Sequence, residues 1–399
     1  MTLLNKSSKS LIISTIFLAV LSANAQQNSS QTIIGGDIRT ITTAIPFINI
    51  VPESRGGALG DAGVAISPTN NDMFWNVGKL ARNEKDYGVS LSYNPWLRRL
   101  VQDMSLNYLS GFYKTKKEEA FGASLTYFDL GKIEFTNDQG FSQGTFNPRE
   151  YAFAVAYSRV LSKNLSLGVG LKYIHSNLTN GINDTRPANT AAGDVGLYYT
   201  KPVLVKNTNN VFSFGATIQN VGGKVAYTNS GRRDFLPGNL RVGAAWTHEI
   251  DFYNKLTFTL DANKLLVPSP KVVKLKDKSG NDSIRTIVED KPLMSGIFGS
   301  FADASGGLRE ELQEVILGGG IEYWYNNTFA VRGGYFHESK LKGNRRYITL
   351  GVGLVYKAAS FDFAYLIGQG TNNALGETLR FTLGFYFEKP KTEDDSIQD

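Results

Sequence analysis

The chain has 399 residues, 41 of them glycine, 24 phenylalanine and 19 tyrosine, and it contains no cysteine. The lack of cysteine excludes a disulfide scaffold, a thiolate metal site and a lipoprotein anchor, and a net charge of +6 without a compact Lys/Arg block argues against nucleic-acid binding. Abundant glycine and aromatic residues, with 20% charged residues, favour one large outer-membrane β-barrel over two or three soluble domains.

The N-terminus has the order of a secretory signal peptide. Lys6 and Lys9 precede an apolar run at 11–21, and an Ala-Asn-Ala sequence follows at 23–25. The apolar run is too short to span a bilayer comfortably. We therefore predict that residues 1–25 are a signal peptide cleaved after Ala25, and that the protein is exported.

The next stretch, residues 26–86, is predicted to be an N-terminal segment and a lumenal plug. Its central part, 46–80, is apolar enough to be buried, but glycines and prolines interrupt both helical and strand patterns. Such a segment needs an enclosure, and its glycines let the backbone pass close to a wall. The residues that we assign to the plug's packing are Arg55, Gly57, Gly60, Asp61, Gly63 and Asn76.

From residue 87 onward the chain alternates apolar with small or polar residues. One face of the stretch 164–173, for example, carries Leu165, Leu167, Val169, Leu171 and Tyr173. A soluble sandwich can show the same period, but strands of about ten residues with a face of Gly, Ser, Thr and Ala suit a membrane barrel better. Fourteen strands are predicted, at 87–93, 103–113, 119–128, 149–158, 164–174, 189–199, 210–218, 240–249, 254–263, 312–323, 327–336, 345–356, 359–367 and 377–387.

The connections between these strands alternate in length. The odd-numbered connections include the long ones, and most even-numbered ones are short, which is the asymmetry between extracellular loops and periplasmic turns. The prediction is thus an all-β protein, a 14-stranded antiparallel transmembrane barrel at 87–387 in the outer membrane. Both termini, including a charged tail at 388–399, are expected in the periplasm.

No catalytic, cofactor or metal site is predicted. The three histidines, His175, His248 and His337, are dispersed without ligand spacing, and no cysteine accompanies them. Three arginine pairs fall in or beside the predicted outer loops, where guanidinium groups suit lipid phosphates or partner carboxylates, although an ordinary solvated rim is an equal alternative. The long connection 264–311 has an apolar half that suits a functional loop.

Two segments resemble a known family. Residues 44–81 contain Leu-Gly-Asp-Ala-Gly at 59–63, and residues 88–114 contain Tyr-Asn-Pro-Trp-Leu-Arg at 93–98. Together they resemble the PorV (LptO) family of the type IX secretion system, which belongs to the wider FadL-like barrels. Asn76-Val77-Gly78 departs from the Asn-Pro-Ala form of the wider group.

The resemblance implies an accessory barrel in protein export. Such barrels take cargo with a C-terminal signal domain from the SprA translocon and deliver it to an attachment complex containing the sortase-like PorU, which links cargo to lipopolysaccharide. No catalytic residue is carried over, so the protein is expected not to be an enzyme. The expected contacts with partners or lipopolysaccharide are Trp96, Arg98, Arg99, Arg232, Arg233, Met294, Phe298, Phe301, Arg345 and Arg346.

A FadL-like uptake channel for hydrophobic small molecules is the alternative, because the fold alone does not separate the two functions. An uptake channel needs a continuous apolar pocket that leads to an opening in the wall. The predicted lumen positions are mainly Gly, Ser, Thr and Ala, with no apolar cluster expected outside the plug, which favours the secretion function. A passive porin is the least favoured of the three functions, because a lumen filled by the plug blocks diffusion.

Overall fold

The computed structural model describes residues 39–389, except 99, 117, 137–138, 179–184, 206–207, 229–232, 277–281, 288 and 370–375. The predicted signal peptide, residues 26–38 and most of the charged tail therefore lie outside the described residues, as do Arg99 and Arg232. No helix in the described part of the chain is long and apolar enough to cross a membrane.

Within the described residues, 14 strands form a closed antiparallel barrel in which each strand pairs with its neighbours in chain order. The barrel closes where the first strand pairs with the last, from Tyr87 opposite Phe387 to Tyr93 opposite Phe381. The barrel strands are β1 Tyr87–Pro95, β2 Ser105–Lys116, β3 Glu119–Asp129, β6 Arg149–Val160, β7 Leu165–Asn177, β8 Ala188–Val205, β9 Thr208–Gly222, β10 Asn239–Glu249, β11 Asn254–Leu265, β14 Ile316–Tyr325, β15 Phe329–His337, β16 Arg346–Tyr356, β17 Ala359–Gly368 and β18 Thr378–Phe387.

The predicted number and order of barrel strands are confirmed. Two small hairpins outside the barrel were not predicted. They are β4 Ile133–Thr136 with β5 Ser142–Phe146, and β12 Lys271–Lys276 with β13 Asp282–Ile287. The long connection between β11 and β14 also contains two short helices, α3 Leu293–Gly299 and α4 Leu308–Gln313.

The outer face of the barrel is apolar over the middle of the strands. In β7, Val169, Leu171 and Tyr173 are exposed while the residues between them face inward, as the alternation predicts. Aromatic rings stack near both ends of the wall, which is the pattern of residues at the two membrane interfaces. Ring pairs at the two ends include Tyr87–Phe387, Phe121–Tyr157 and Trp246–Phe258 at one, and Tyr151–Tyr173 and Tyr151–His175 at the other.

The two ends of the barrel differ. The short-turn end carries the connections 117–118, 161–164, 206–207, 250–253, 326–328 and 357–358. The long-connection end carries 96–104, 130–148, 178–187, 223–238, 266–315, 338–345 and 369–377. β1 begins and β18 ends at the short-turn end. Arg39, the first described residue, lies at the opposite end, where its N–H donates to the carbonyl of Leu341 at 2.9 Å.

Residues 39–86, which we call the plug, run through the lumen from the long-connection end to the short-turn end. The plug contains only short helical turns: a 3₁₀ helix at Pro46–Asn49, α1 at Ser54–Gly57, α2 at Asp72–Trp75 and a second 3₁₀ helix at Val77–Arg82. The buried Glu53 carboxylate caps α1 by accepting from the N–H groups of Arg55 and Gly56, and it also accepts from the indole of Trp75. Local hydrogen bonds thus order a segment that has no periodic pattern.

Candidate functional site

A chain of buried ion pairs joins the plug to the barrel wall. Arg55 forms two hydrogen bonds to Glu322 of β14, at 2.7 and 2.8 Å. Glu322 also accepts from Arg332 of β15 at 2.7 Å, and Arg332 pairs with Asp362 of β17 at 2.6 Å. Each of these four side chains has a partner of opposite charge. The lumen therefore holds four ionised groups away from bulk water without leaving one unpaired.

The second attachment is formed by Asp61. This plug residue accepts from Arg380 of β18 at 2.7 Å and from the hydroxyl of Tyr347 of β16 at 2.5 Å. Close by, Asp261 of β11 accepts from the backbone N–H groups of Gly63 and Val64, at 2.7 and 2.9 Å. Wall side chains therefore complete the hydrogen bonding of a plug backbone that forms no regular structure.

The plug backbone lies directly against the wall at glycines, as the sequence predicts. A Cβ at Gly60, which has a φ of +73°, would lie 2.4 Å from the carbonyl oxygen of Tyr335. A Cβ at Gly57 would lie 2.3 Å from the Arg380 guanidinium of the wall, and one at Gly63 would lie 2.1 Å from the ring of Trp75, within the plug itself. A larger side chain at Gly60 or Gly63 would displace the wall backbone or the plug, and one at Gly57 would displace the Arg380 side chain.

Wall glycines meet the plug in the same way from other sides. Gly168, Gly215 and Gly334 face plug backbone atoms from β7, β9 and β15. Asn76 adds a polar contact to another strand, since its amide donates to the carbonyl of Leu197 of β8 at 2.9 Å while its oxygen accepts from the Gly78 N–H. The six plug residues predicted from sequence all pack within the lumen, and the plug is held by strands on every side of it.

At the long-connection end, the described parts of the connections 223–238, 266–315 and 338–345 form a cap over the plug. Lys264 pairs with Glu311 and Glu314 of the 266–315 connection at 2.9 and 2.6 Å, and Lys342 pairs with Glu310 and Glu314 at 2.7 and 2.8 Å. Arg39 pairs with Glu310 from the start of the plug. These ion pairs fix α4 to both a neighbouring connection and the plug.

An apolar face of the cap is exposed on and beside α3. Met294, Phe298 and Phe301 are 59%, 73% and 47% exposed, while Ile297 is buried and Gly296 packs against Phe235. Leu308 and Leu312 of α4 are exposed as well. Large exposed apolar side chains grouped on one element indicate a contact surface. The three predicted contact residues of this connection are therefore accessible, and their partner stays a prediction.

The other predicted contact residues have different environments. Arg98 and Arg233 are exposed at the long-connection end. Arg345 is bound by Glu338 at 2.8 and 2.9 Å, and Arg346 donates to the Glu338 carbonyl. Trp96 packs edge-on against Phe128, with ring centroids 6.4 Å apart, so most of its surface serves packing.

A cavity of about 520 Å³ lies between the plug and the cap. Its wall includes an apolar cluster of Phe336, Tyr347, Leu366 and Ile316, contributed by β14 to β17. The prediction that the lumen has no apolar cluster outside the plug is therefore wrong. It failed because the inward positions near the strand ends, above the plug, carry large side chains, whereas those beside the plug carry small ones.

The wall residues that hold the plug were not identified from sequence. Glu322, Arg332 and Arg380 occupy inward positions of otherwise apolar strands, and a charged residue at such a position is a usable signal for a lumenal partner. The partners themselves were not predictable, since Arg55 and Glu322 are 267 positions apart.

Comparison with solved structures finds transporter barrels of low sequence identity. The toluene transporter TbuX of Ralstonia pickettii is 11% identical with a TM-score of 0.43, over 84% of this chain and 98% of that chain. The toluene transporter TodX of Pseudomonas putida is 12% identical with a TM-score of 0.47, over 85% and 99%. A FadL homologue of Pseudomonas aeruginosa is 12% identical with a TM-score of 0.45, over 88% and 99%.

A comparison with curated proteins gives no match. The family profile described as type IX secretion system protein PorV matches residues 34–272. This match spans more than half of the chain, including the whole described plug and the strands β1 to β11. The chain therefore belongs to the family of the type IX secretion system protein PorV.

Proposed function

We propose that this outer-membrane barrel binds secreted cargo that carries a C-terminal signal domain. It takes the cargo from the SprA translocon and delivers it to the attachment complex that contains PorU. The observation that carries the proposal, beyond family membership, is the fixed plug. A lumen crossed by a segment that is ion-paired and hydrogen-bonded to the wall on all sides suits a binding protein better than a conduit.

The proposed work is done at the long-connection end. The exposed residues Met294, Phe298 and Phe301 offer an apolar contact for a protein partner. The exposed guanidinium groups of Arg98 and Arg233 suit lipopolysaccharide phosphates or carboxylates of a partner. On this proposal the protein binds and hands over cargo and is not an enzyme.

The asymmetry of the connections supports the orientation that we propose. Outer-membrane barrels place short turns in the periplasm and long loops outside the cell. The long-connection end then faces the cell surface, and the start of β1 and the end of β18 face the periplasm. The plug accordingly begins at the surface end and descends through the lumen.

Uptake of a hydrophobic small molecule is the second candidate, and the cavity with its apolar cluster favours it. For uptake along the length of the lumen, however, a ligand must pass the plug. Passage requires separating Asp61 from Arg380 and Arg55 from Glu322 inside the barrel, and breaking a buried pair costs about 3–5 kcal/mol.

Deletion of the gene tests the proposal. Proteomics of the medium, cell surface and periplasm should show that cargo with the signal domain is lost from the first two fractions. A plasmid copy of the wild-type gene should restore it. Normal secretion in the deletion strain, combined with lost growth on a hydrophobic carbon source, would contradict the proposed function and favour uptake.

A further inference from the structure

The cavity above the plug carries a polar patch that the plug does not use. Asn239 and Arg241 lie two residues apart on the inner face of β10, and Asn263 lies directly opposite Arg241 on β11. All three side chains line the cavity, and all three are more than nine-tenths buried. The patch therefore combines a guanidinium group and two amides at one point of the lumen wall.

Arg241 forms no direct ion pair with any described residue. Among the described residues, no carboxylate lies within ion-pair distance of it, and its Nε has no hydrogen-bond acceptor. Its guanidinium lies over the rings of Phe74 and Trp75, 5.1 and 5.4 Å from their centroids. Of the nearby carboxylates, Asp61 is engaged by Arg380, and Asp261 accepts plug N–H groups with Oδ2 while its Oδ1 accepts no hydrogen bond. Since Arg241 lines the cavity and its buried Nε lacks an acceptor, this guanidinium is suited to an anion that enters the cavity.

The two amides add a second requirement. The Oδ1 atoms of Asn239 and Asn263 are buried and accept no hydrogen bond. A ligand that satisfies them must bring N–H or O–H donors as well as an anionic group. A fatty acid has a carboxylate but no donor along its chain, whereas a peptide has a backbone N–H at nearly every residue.

We propose that the cavity binds the carboxylate at the C-terminal end of an extended peptide. Arg241 pairs with the carboxylate, Asn239 and Asn263 accept from backbone N–H groups, and the cluster around Phe336 receives apolar side chains. This inference rests on the proposed function, because it names the part of the cargo that the barrel recognises. The cavity volume of about 520 Å³ has room for a few residues of extended chain.

The path into the cavity agrees with such a ligand. Trp96, Pro237 and Lys342, which belong to connections at the long-connection end, form part of its lining, and the cavity is partly open. The residues at its base, including Asp61 and Arg380, belong to the attachment of the plug. A chain end can therefore enter from the long-connection end and stop at the plug.

Fluorescence anisotropy on the purified full-length barrel tests the inference. The probe is a fluorescein-labelled short peptide copied from the C-terminus of a cargo signal domain, made with a free carboxylate and with a C-terminal amide. Wild type should bind the free acid about tenfold more tightly than the amide, as a charge-assisted pair requires. Arg241→Met should abolish that difference, and Asn263→Leu should weaken both peptides equally, since both carry the N–H groups.

Arg159→Met is the matched control, because Arg159 is exposed at the short-turn end. It should bind both peptides as wild type does, and heat-modifiable migration on a gel should show that every variant forms the barrel. Equal binding of acid and amide by wild type would overturn the inference. Arg241-dependent binding of laurate without binding of either peptide would also overturn it and assign a lipid acid.

A separate pull-down with the intact signal domain distinguishes the two proposals. If wild type captures the domain but does not distinguish acid from amide, the proposed function stands and the cavity inference is wrong. If wild type does not capture the domain, the proposed function is contradicted, and the peptide comparison still decides which ligand the cavity takes.

Discussion

At the scale of single residues, Glu322 is the acceptor for two guanidinium groups inside the barrel, those of Arg55 and Arg332. Glu322→Gln keeps the shape but leaves two buried cations facing a neutral amide. We expect the unfolding free energy of the barrel to fall by about 3–5 kcal/mol. Urea unfolding from lipid vesicles, followed by tryptophan fluorescence, measures the change.

The control for this change is Lys255→Gln, which breaks the partly exposed pair with Glu249 at the short-turn end of β10 and β11. Because solvent screens that pair, its loss should cost less than about 1 kcal/mol. Similar losses in the two variants would mean that Glu322 does not hold the plug.

A second residue-scale prediction concerns Gly60. Gly60→Ala places a methyl group 2.4 Å from the Tyr335 carbonyl at a φ of +73°, so both a steric clash and backbone strain oppose it. The control Gly140→Ala has a φ of +82° but nothing within 4 Å of the new methyl group. Strain alone costs about 1–2 kcal/mol, so Gly60→Ala should lose clearly more stability than Gly140→Ala. Equal losses in thermal unfolding would contradict a close approach of plug and wall.

At the scale of elements, the cap depends on α4 and its ion pairs. Burial by itself raises the pKa of Glu310, but hydrogen bonds from Lys342 and the Gly306 N–H, with the charge of Arg39, outweigh it and lower the net pKa. A carboxylate with a lowered folded pKa contributes stability above its unfolded value, near 4.5, and loses that stability as the pH falls through the folded pKa. The cap should therefore stay closed from neutral pH down to that range and open below it.

Amide hydrogen exchange of residues 308–313 measures this opening. Lys342→Met removes the cation between Glu310 and Glu314, so α4 should exchange faster already at neutral pH. Lys340→Met, a change of the same residue type at an exposed site two positions away, should behave as wild type. Identical exchange in the two variants would show that the ion pairs do not hold the cap.

The apolar face of α3 gives a second element-scale prediction. Replacing Met294, Phe298 and Phe301 by Gln should leave the barrel intact but strongly reduce co-purification of cargo or translocon, because the apolar contact is lost. Phe252→Gln is the control, since Phe252 is even more exposed but lies at the short-turn end. An assembly defect in the triple variant would make the face structural, and unchanged co-purification would remove it as a contact surface.

The strands were predictable from sequence because their alternation repeats over about ten residues against a uniform lipid face. Two strands are longer than predicted, since β8 continues to Val205 and β9 begins at Thr208. In these added parts the strict alternation of apolar and polar residues is lost. The hairpin β12–β13 and the helices α3 and α4 are too short to give a period, so the cap was predicted only as a long functional connection.

At the scale of the whole molecule, the glycines and prolines of the plug predicted that it needs an enclosure, and the alternating connection lengths predicted the barrel. The attachment of the plug was not predictable, because each ion pair joins residues far apart in sequence, such as Asp61 and Arg380. The cavity was not predicted for a related reason. Its polar patch depends on the pairing of Arg241 with Asn263 on the adjacent strands β10 and β11, and the sequence does not show that pairing.

The central claim is that the plug is a fixed seal while the long-connection end handles cargo. The chain has no cysteine, so a single engineered disulfide can lock the plug without competing thiols. Met73 of α2 and Gly122 of β3 suit this purpose, since a Cβ at residue 122 would lie 3.2 Å from the Met73 Cγ.

The most direct measurement is the secretion of signal-domain cargo by cells whose only copy of the gene encodes Met73→Cys with Gly122→Cys. The two single-cysteine variants serve as controls, and a gel shift confirms the cross-link. A fixed seal predicts that the cross-linked barrel supports secretion at the level of the single variants. Loss of secretion in the cross-linked form, restored by a reductant while the barrel remains assembled, would show that the plug must move and would contradict the account.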